Sequence, residues 1–94
     1  MKNNIEQYKQ EAVEVIHKIG KDKNLLALFL RDILTPREFE NIGVRWQIVK
    51  RLAKGEHHAA IAESLHLGVA TVTRGSREMR KKDGGLQKAL KALK

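Results

Sequence analysis

Apolar residues recur every three or four positions along most of this 94-residue chain, the pattern of helices laid against a common core. A first helix is predicted from Asn4 to Ile19, with Ile5, Tyr8, Ala12, Val15, Ile16 and Ile19 on one face and Gly20 as its stop. A second covers Asp22 to Ile33. Its centre, Leu25-Leu26-Ala27-Leu28-Phe29-Leu30, is apolar on nearly every side, so it has to be covered on more than one flank. One small subunit hardly supplies that cover, which points to burial between subunits. The third helix has the sharpest start: Thr35-Pro36-Arg37-Glu38 puts a hydroxyl at the N-cap, proline at the first helical position and glutamate at the third, a capping box. Phe39, Ile42, Trp46, Val49 and Leu52 continue its stripe as far as Gly55, a natural C-terminal stop.

A fourth helix is predicted from His58 to Leu65 and a fifth from Val69 to Lys81, and together they read as a helix-turn-helix. Ile61, Ala62 and Leu65 form one apolar face; Leu67 and Gly68 interrupt it; Val69 and Val72 resume it. Ala70, Thr71 and Thr73 are small enough to approach base edges, and Arg74, Arg77, Arg80, Lys81 and Lys82 follow within reach of phosphates. Asp83-Gly84-Gly85 breaks the chain before a last helix, Leu86 to Leu93. The expected fold is all-α, a single domain over 1–94. Residues 1–56 would supply dimerisation helices, 57–82 the helix-turn-helix and 83–94 a C-terminal helix.

Charge sharpens the reading. The formal net charge is +8, and residues 1–33 hold six Lys/Arg against five Asp/Glu while residues 34–94 hold thirteen against six. The cationic half is the half with the helix-turn-helix, and such a field attracts polyanions. With no cysteine, disulfides and thiolate metal sites are excluded. Met1-Lys2-Asn3-Asn4 leads into charged, periodic sequence without a signal core, and the longest apolar run, Leu25 to Leu30, is far short of the ~20 residues that span a bilayer. A cytoplasmic protein is expected, without a membrane partner. His57, His58 and His17 lack converging ligands, so no metal site is expected, and no cofactor. Ser64 and Ser76 have no evident base and acid to orient, so no catalytic residue is assigned and the chain is not read as an enzyme.

The stretch LTPREFENIGVRWQIVKRLAKGE followed by ATVTRGS resembles the bacterial Trp repressor family, from Leu34 to about Arg80. The resemblance implies a six-helix, intertwined homodimer whose two recognition helices lie about one DNA turn apart on a palindromic operator. It further implies L-tryptophan as corepressor, held between Arg45 and Arg74, with Thr35 and the carbonyls of Asp32 and Leu34 from the partner subunit at its polar end. Val69, Ala70 and Thr73 would then touch base edges, while Gly68, Thr71, Arg77, Arg80 and Lys81 would serve phosphates. Gly75, costly inside a helix by roughly 1 kcal/mol, has two explanations: a flat ligand pressed on the helix, or close helix packing.

The chain departs from the family at three points. Glu78 stands where members carry a small hydroxyl; it would pair with the ligand's ammonium, repel its carboxylate, or bridge to Arg74 at i,i+4. Glu56 to Ala60 runs one residue short, with Ala60 in place of a longer polar side chain. His66 takes a glycine's place in the turn, where a left-handed backbone costs roughly 1–2 kcal/mol, so some remodelling is expected there. Two further residues have rival readings: Trp46 as core or base-stacking residue, and Arg80-Lys81-Lys82 as phosphate clamp or solvated face. The alternative function is a relative of this fold that regulates genes through another effector or none.

Overall fold

The computed structural model describes residues 2–94 as six helices: α1 (Lys2–Ile19), α2 (Lys23–Ile33), α3 (Pro36–Ala53), α4 (His58–Leu65), α5 (Val69–Met79) and α6 (Gly85–Ala92). No strand occurs among the described residues, and Met1 of the leading tetrapeptide lies outside them. The all-α expectation holds, with boundaries shifted: α1 starts at Lys2 instead of Asn4, α2 at Lys23 instead of Asp22, and α6 spans Gly85–Ala92 instead of Leu86–Leu93. α5 stops at Met79, short of Lys81, because the Arg80 and Lys81 amides turn to carbonyls three residues back, at Arg77 and Glu78. That tighter turn ends the helix before Asp83-Gly84-Gly85 is reached.

The chain divides into two compact units, Met1–Phe39 and Glu40–Lys94. In the first, Asp22 caps α2: its side chain accepts from the Leu25 amide at 3.1 Å. α2 contains no buried residue, and Leu25 and Leu28 stay almost half exposed. Ile5, Tyr8 and Val13 of α1 are exposed as well. These are amphipathic helices with uncovered apolar faces.

The capping box at the start of α3 forms as spelled out. The Thr35 N–H donates to Glu38 Oε1 at 2.7 Å, and the Glu38 N–H donates to Thr35 Oγ1 at 3.2 Å. Two amides that the helix cannot serve are thereby satisfied.

The core of the second unit is small and well defined. Ile61 and Val72 are fully enclosed, with Ile48 and Ala62 beside them and Val44, Leu52, Leu65 and Leu67 packed around. Ile48 is a residue that the predicted stripe of α3 leaves out. That helix has two apolar rows: Val44, Ile48 and Leu52, spaced by four, pack on the helix-turn-helix, while Trp46 belongs to the other row and lines a groove beside α6. Trp46 is half-buried there, as a packing residue. Arg51 links α3 to α4 by donating from Nη1 to Ser64 Oγ at 2.8 Å, with Glu56 at 4.0 Å on the same guanidinium. At the far end, the Gln87 side-chain amide donates to the Met79 carbonyl and fastens α6 to the end of α5.

The capping box makes stability depend on acid. The Thr35 amide, then its hydroxyl, hold the Glu38 carboxyl below its usual range. A depressed folded-state pKa means the contribution is present above the unfolded pKa and lost as pH falls through the folded one. Glu38→Gln keeps a hydrogen-bonding oxygen but cannot titrate, so its melting temperature is expected to fall less between neutral and acid pH than that of the natural chain. Thermal unfolding by circular dichroism across that range checks this; equal losses in both proteins would rule the box out as a source.

Candidate nucleic-acid interface and effector site

α4 and α5 pack on α3 through Ile61, Ala62 and Val72, and the turn between them depends on one backbone conformation. His66 takes a left-handed φ of 57° and ψ of 48°. This lets the Leu67 amide reach back to the Ala62 carbonyl at 2.8 Å and the His66 amide to Glu63 at 3.3 Å. Leu67 folds onto the core in the same motion. The turn is therefore not remodelled, contrary to expectation. It keeps the geometry glycine favours and carries the strain of a side chain instead, because two closed carbonyls and a packed leucine outweigh it.

Gly68 then caps α5, and the helix divides by face. Val72 is sealed in the core, whereas Val69, Ala70, Thr71 and Arg74 are exposed. Thr73 is half-buried, with its Oγ1 3.4 Å from His58 Nδ1 on α4. Arg77, Arg80, Lys81 and Lys82 are all exposed. α5 thus presents small groups beside a run of cations, an arrangement suited to groove contact with phosphates on the flank.

Gly75 has a physical explanation inside the fold. A Cβ there would lie 2.9 Å from Ile48 Cγ2, well inside contact distance. Ile48 is buried and β-branched, so its methyl has little room to move. Close packing of α5 on α3 accounts for the glycine without a ligand.

The residues expected around the effector fall in both units. In the second, Arg45 lies one turn before Ile48 on α3, and Arg74 immediately precedes Gly75 on α5. Both are exposed, and neither guanidinium pairs with a carboxylate among the described residues. Glu78 does not bridge to Arg74. Lys81 holds it instead at 2.6 Å, and this pairing, by hydrogen bond and by charge, lowers the Glu78 pKa. Lys81, one of the expected phosphate contacts, is thereby engaged by a carboxylate in the free chain.

In the first unit, Thr35 uses its amide and hydroxyl in the capping box. The Asp32 carboxylate pairs with Arg31 at 2.9 Å, which lowers the Asp32 pKa first by hydrogen bonding and then by charge. An open groove of about 620 Å³ in the second unit is lined by Trp46, Ala53, Met79, Leu90 and Leu93 together with Gln87 and four lysines. None of the expected effector residues lines it.

The sequence pattern of the Trp repressor protein family matches residues 7–94. The chain belongs to the Trp repressor family. Among its relatives, the Trp operon repressor homolog of Vibrio parahaemolyticus is 35% identical over 85 residues, covering 89% of this chain and 82% of its own length. The homolog of Vibrio campbellii is 36% identical over the same number, covering 89% and 84%. That of Mannheimia succiniciproducens is 38% identical over 76 residues, covering 78% and 71%. Membership places the chain among transcriptional repressors. The match also takes in the leading third of the chain from residue 7, outside the Leu34–Arg80 stretch that carries the resemblance.

Two substitutions test this architecture. Gly75→Ala gains roughly 1 kcal/mol of helix propensity but overpacks against Ile48, at a cost of about 1–3 kcal/mol. A net destabilisation of about 1 kcal/mol is expected in urea unfolding. A stabilised variant would show that α5 has slack at this point. His66→Gly relieves the left-handed strain and is expected to stabilise the chain by about 0.5–1 kcal/mol after the entropy of the added glycine is counted. A loss of stability would mean that the imidazole contributes more than its backbone strain removes.

Proposed function

We propose that the protein is a homodimeric repressor gated by L-tryptophan, binding a palindromic operator with the α4–α5 unit of each copy in successive major grooves, the docking for which Trp repressors are themselves an example. The observation that carries this reading is the outer face of α5, where exposed Val69, Ala70 and Thr71 adjoin Arg77 and, just past the end of the helix, Arg80 and Lys81, while α3 holds the helix from behind. Val69, Ala70 and Thr73 would meet base edges, thymine methyls included. Gly68, Thr71, Arg77, Arg80 and Lys81 would fix register through phosphates. The uncovered apolar faces of α1 and α2 support the homodimer, since an isolated copy leaves them in water.

For the effector, Arg45 and Arg74 are cations without carboxylate partners, suited to stacking on an indole ring and pairing with a carboxylate. The end of α2 in the other protomer would bring the Asp32 and Leu34 carbonyls and Thr35 to the ammonium, where unpaired carbonyls and the helix dipole favour positive charge. Glu78 would add an anionic partner if the ammonium displaced Lys81. Binding acts as a gate only through different affinities for two settings of the helix-turn-helix. All of this takes place in the cytoplasm, with no membrane partner; no helix among the described residues is long and apolar enough to cross one.

A second reading has its own support. Ile48 explains Gly75 without any ligand, and Glu78 alters the effector end, which favours a repressor answering to another effector or none. Calorimetry separates the two. Saturable L-tryptophan binding that raises affinity for a Trp repressor-type palindrome is the expected result. Arg74→Ala should lower that coupling by about tenfold or more while leaving the dimer intact in sedimentation. DNA binding indifferent to tryptophan would select the second reading, and loss of the dimer in the variant would make Arg74 structural.

A further inference from the structure

His58 opens α4 and Thr73 sits in the middle of α5, and their side chains meet at 3.4 Å between Nδ1 and Oγ1, both half-buried. Among the described residues no other side-chain hydrogen bond joins these two helices. The apolar contacts that pack α4 on α5 fix distance but have no polarity. This contact has one, because a hydroxyl owns a single proton.

With Nδ1 bare, Thr73 donates its proton to the ring and turns only lone pairs outward. With Nδ1 protonated, the ring donates to Oγ1, and the hydroxyl proton is released to point elsewhere. Thr73 adjoins the exposed row of α5, one turn from Val69, Ala70 and Arg77. We propose that His58 is a specificity-determining positioning residue, whose ring state sets whether Thr73 offers an acceptor or a donor to the base pair in front of it. An acceptor suits the amino groups of adenine and cytosine. A donor suits purine N7 and the carbonyl oxygens of guanine and thymine. The inference rests on the DNA-reading role proposed for α5.

In sequence and helical register this ring has few charged neighbours. His57 and Glu56 precede it, and Glu56 is turned to Arg51 of α3 at 4.0 Å. Along α4 the next turn offers Ile61 and Ala62, buried and uncharged. On α5 the cations beside Thr73 are Arg74, the next residue, and Arg77, one turn on. Imidazole is the class of side chain that changes charge near neutrality, which makes pH the probe of this contact.

The experiment is selection from a pool of duplex DNA randomised over about two helical turns, at about pH 6 and about pH 8, in parallel arms with and without L-tryptophan. For the natural chain, base preference at one symmetry-related pair of positions should change between the two pH values by about threefold to tenfold in relative enrichment, with the other positions unchanged. His58→Asn places a non-titrating amide at the ring's position, and Thr73→Val keeps the shape but loses the hydroxyl. Each should give one preference at both pH values. Either variant alone decides, so misfolding of one leaves the test standing. An identical consensus at both pH values in the natural chain overturns the proposal, as does a pH-dependent change that survives in the variants. If the natural chain enriches no sequence in either arm, the DNA-reading role falls and takes this inference with it.

Discussion

The close approach of α5 to α3 governs the second unit. Ile48 fits where a Cβ at position 75 would have been, and the fully buried Ile61 and Val72 close the space around it. Burying a side chain of this size contributes about 1.5–3 kcal/mol, so a core of five buried residues leaves little surplus after conformational entropy is met. The helix-turn-helix is accordingly held by a few tight contacts. Arg51, reaching from α3 to Ser64, adds a polar tie where the apolar core ends. In the DNA-reading role proposed for α5, the helix would be set by its support, and whatever moves α3 against α5 would move the reading face.

The charges of this chain act outward. Four of the ion pairs among the described residues, Lys9–Glu6, Lys18–Glu14, Arg31–Asp32 and Lys81–Glu78, are exposed and join near neighbours in sequence; Arg51–Glu56, half-buried at Arg51, is long at 4.0 Å. Pairs of that kind contribute about 0–1 kcal/mol and are screened by salt. The excess cations of residues 34–94 therefore matter for the field they create, which is what a polyanion meets first. Glu78 is an exception within that field, since it offsets Lys81 at the end of α5.

The first unit presents the opposite surface. α1 and α2 carry exposed Ile5, Tyr8, Val13, Leu25 and Leu28, with no buried residue in α2. Homodimer interfaces are more apolar than ordinary protein surface. The homodimer proposed above would convert these faces from a liability into a core, which ties stability to protomer concentration.

Sequence was sufficient wherever the physics is local. Helix periods, the Thr35–Glu38 capping box and the stop signals at Gly20 and Gly55 involve residues within one turn of each other, and each can be read from spacing alone. The helix-turn-helix and the crowding of cations around it were legible for the same reason. Contacts between distant segments were not. That Ile48 is the α3 residue facing α5, that it explains Gly75, that Glu78 turns to Lys81 over Arg74, and that His58 meets Thr73 all depend on how helices come together in space. His66 marks the boundary between the two kinds of information: its sequence showed the cost of a left-handed turn, but only the packed Leu67 and the closed Ala62 and Glu63 carbonyls show why the chain bears it.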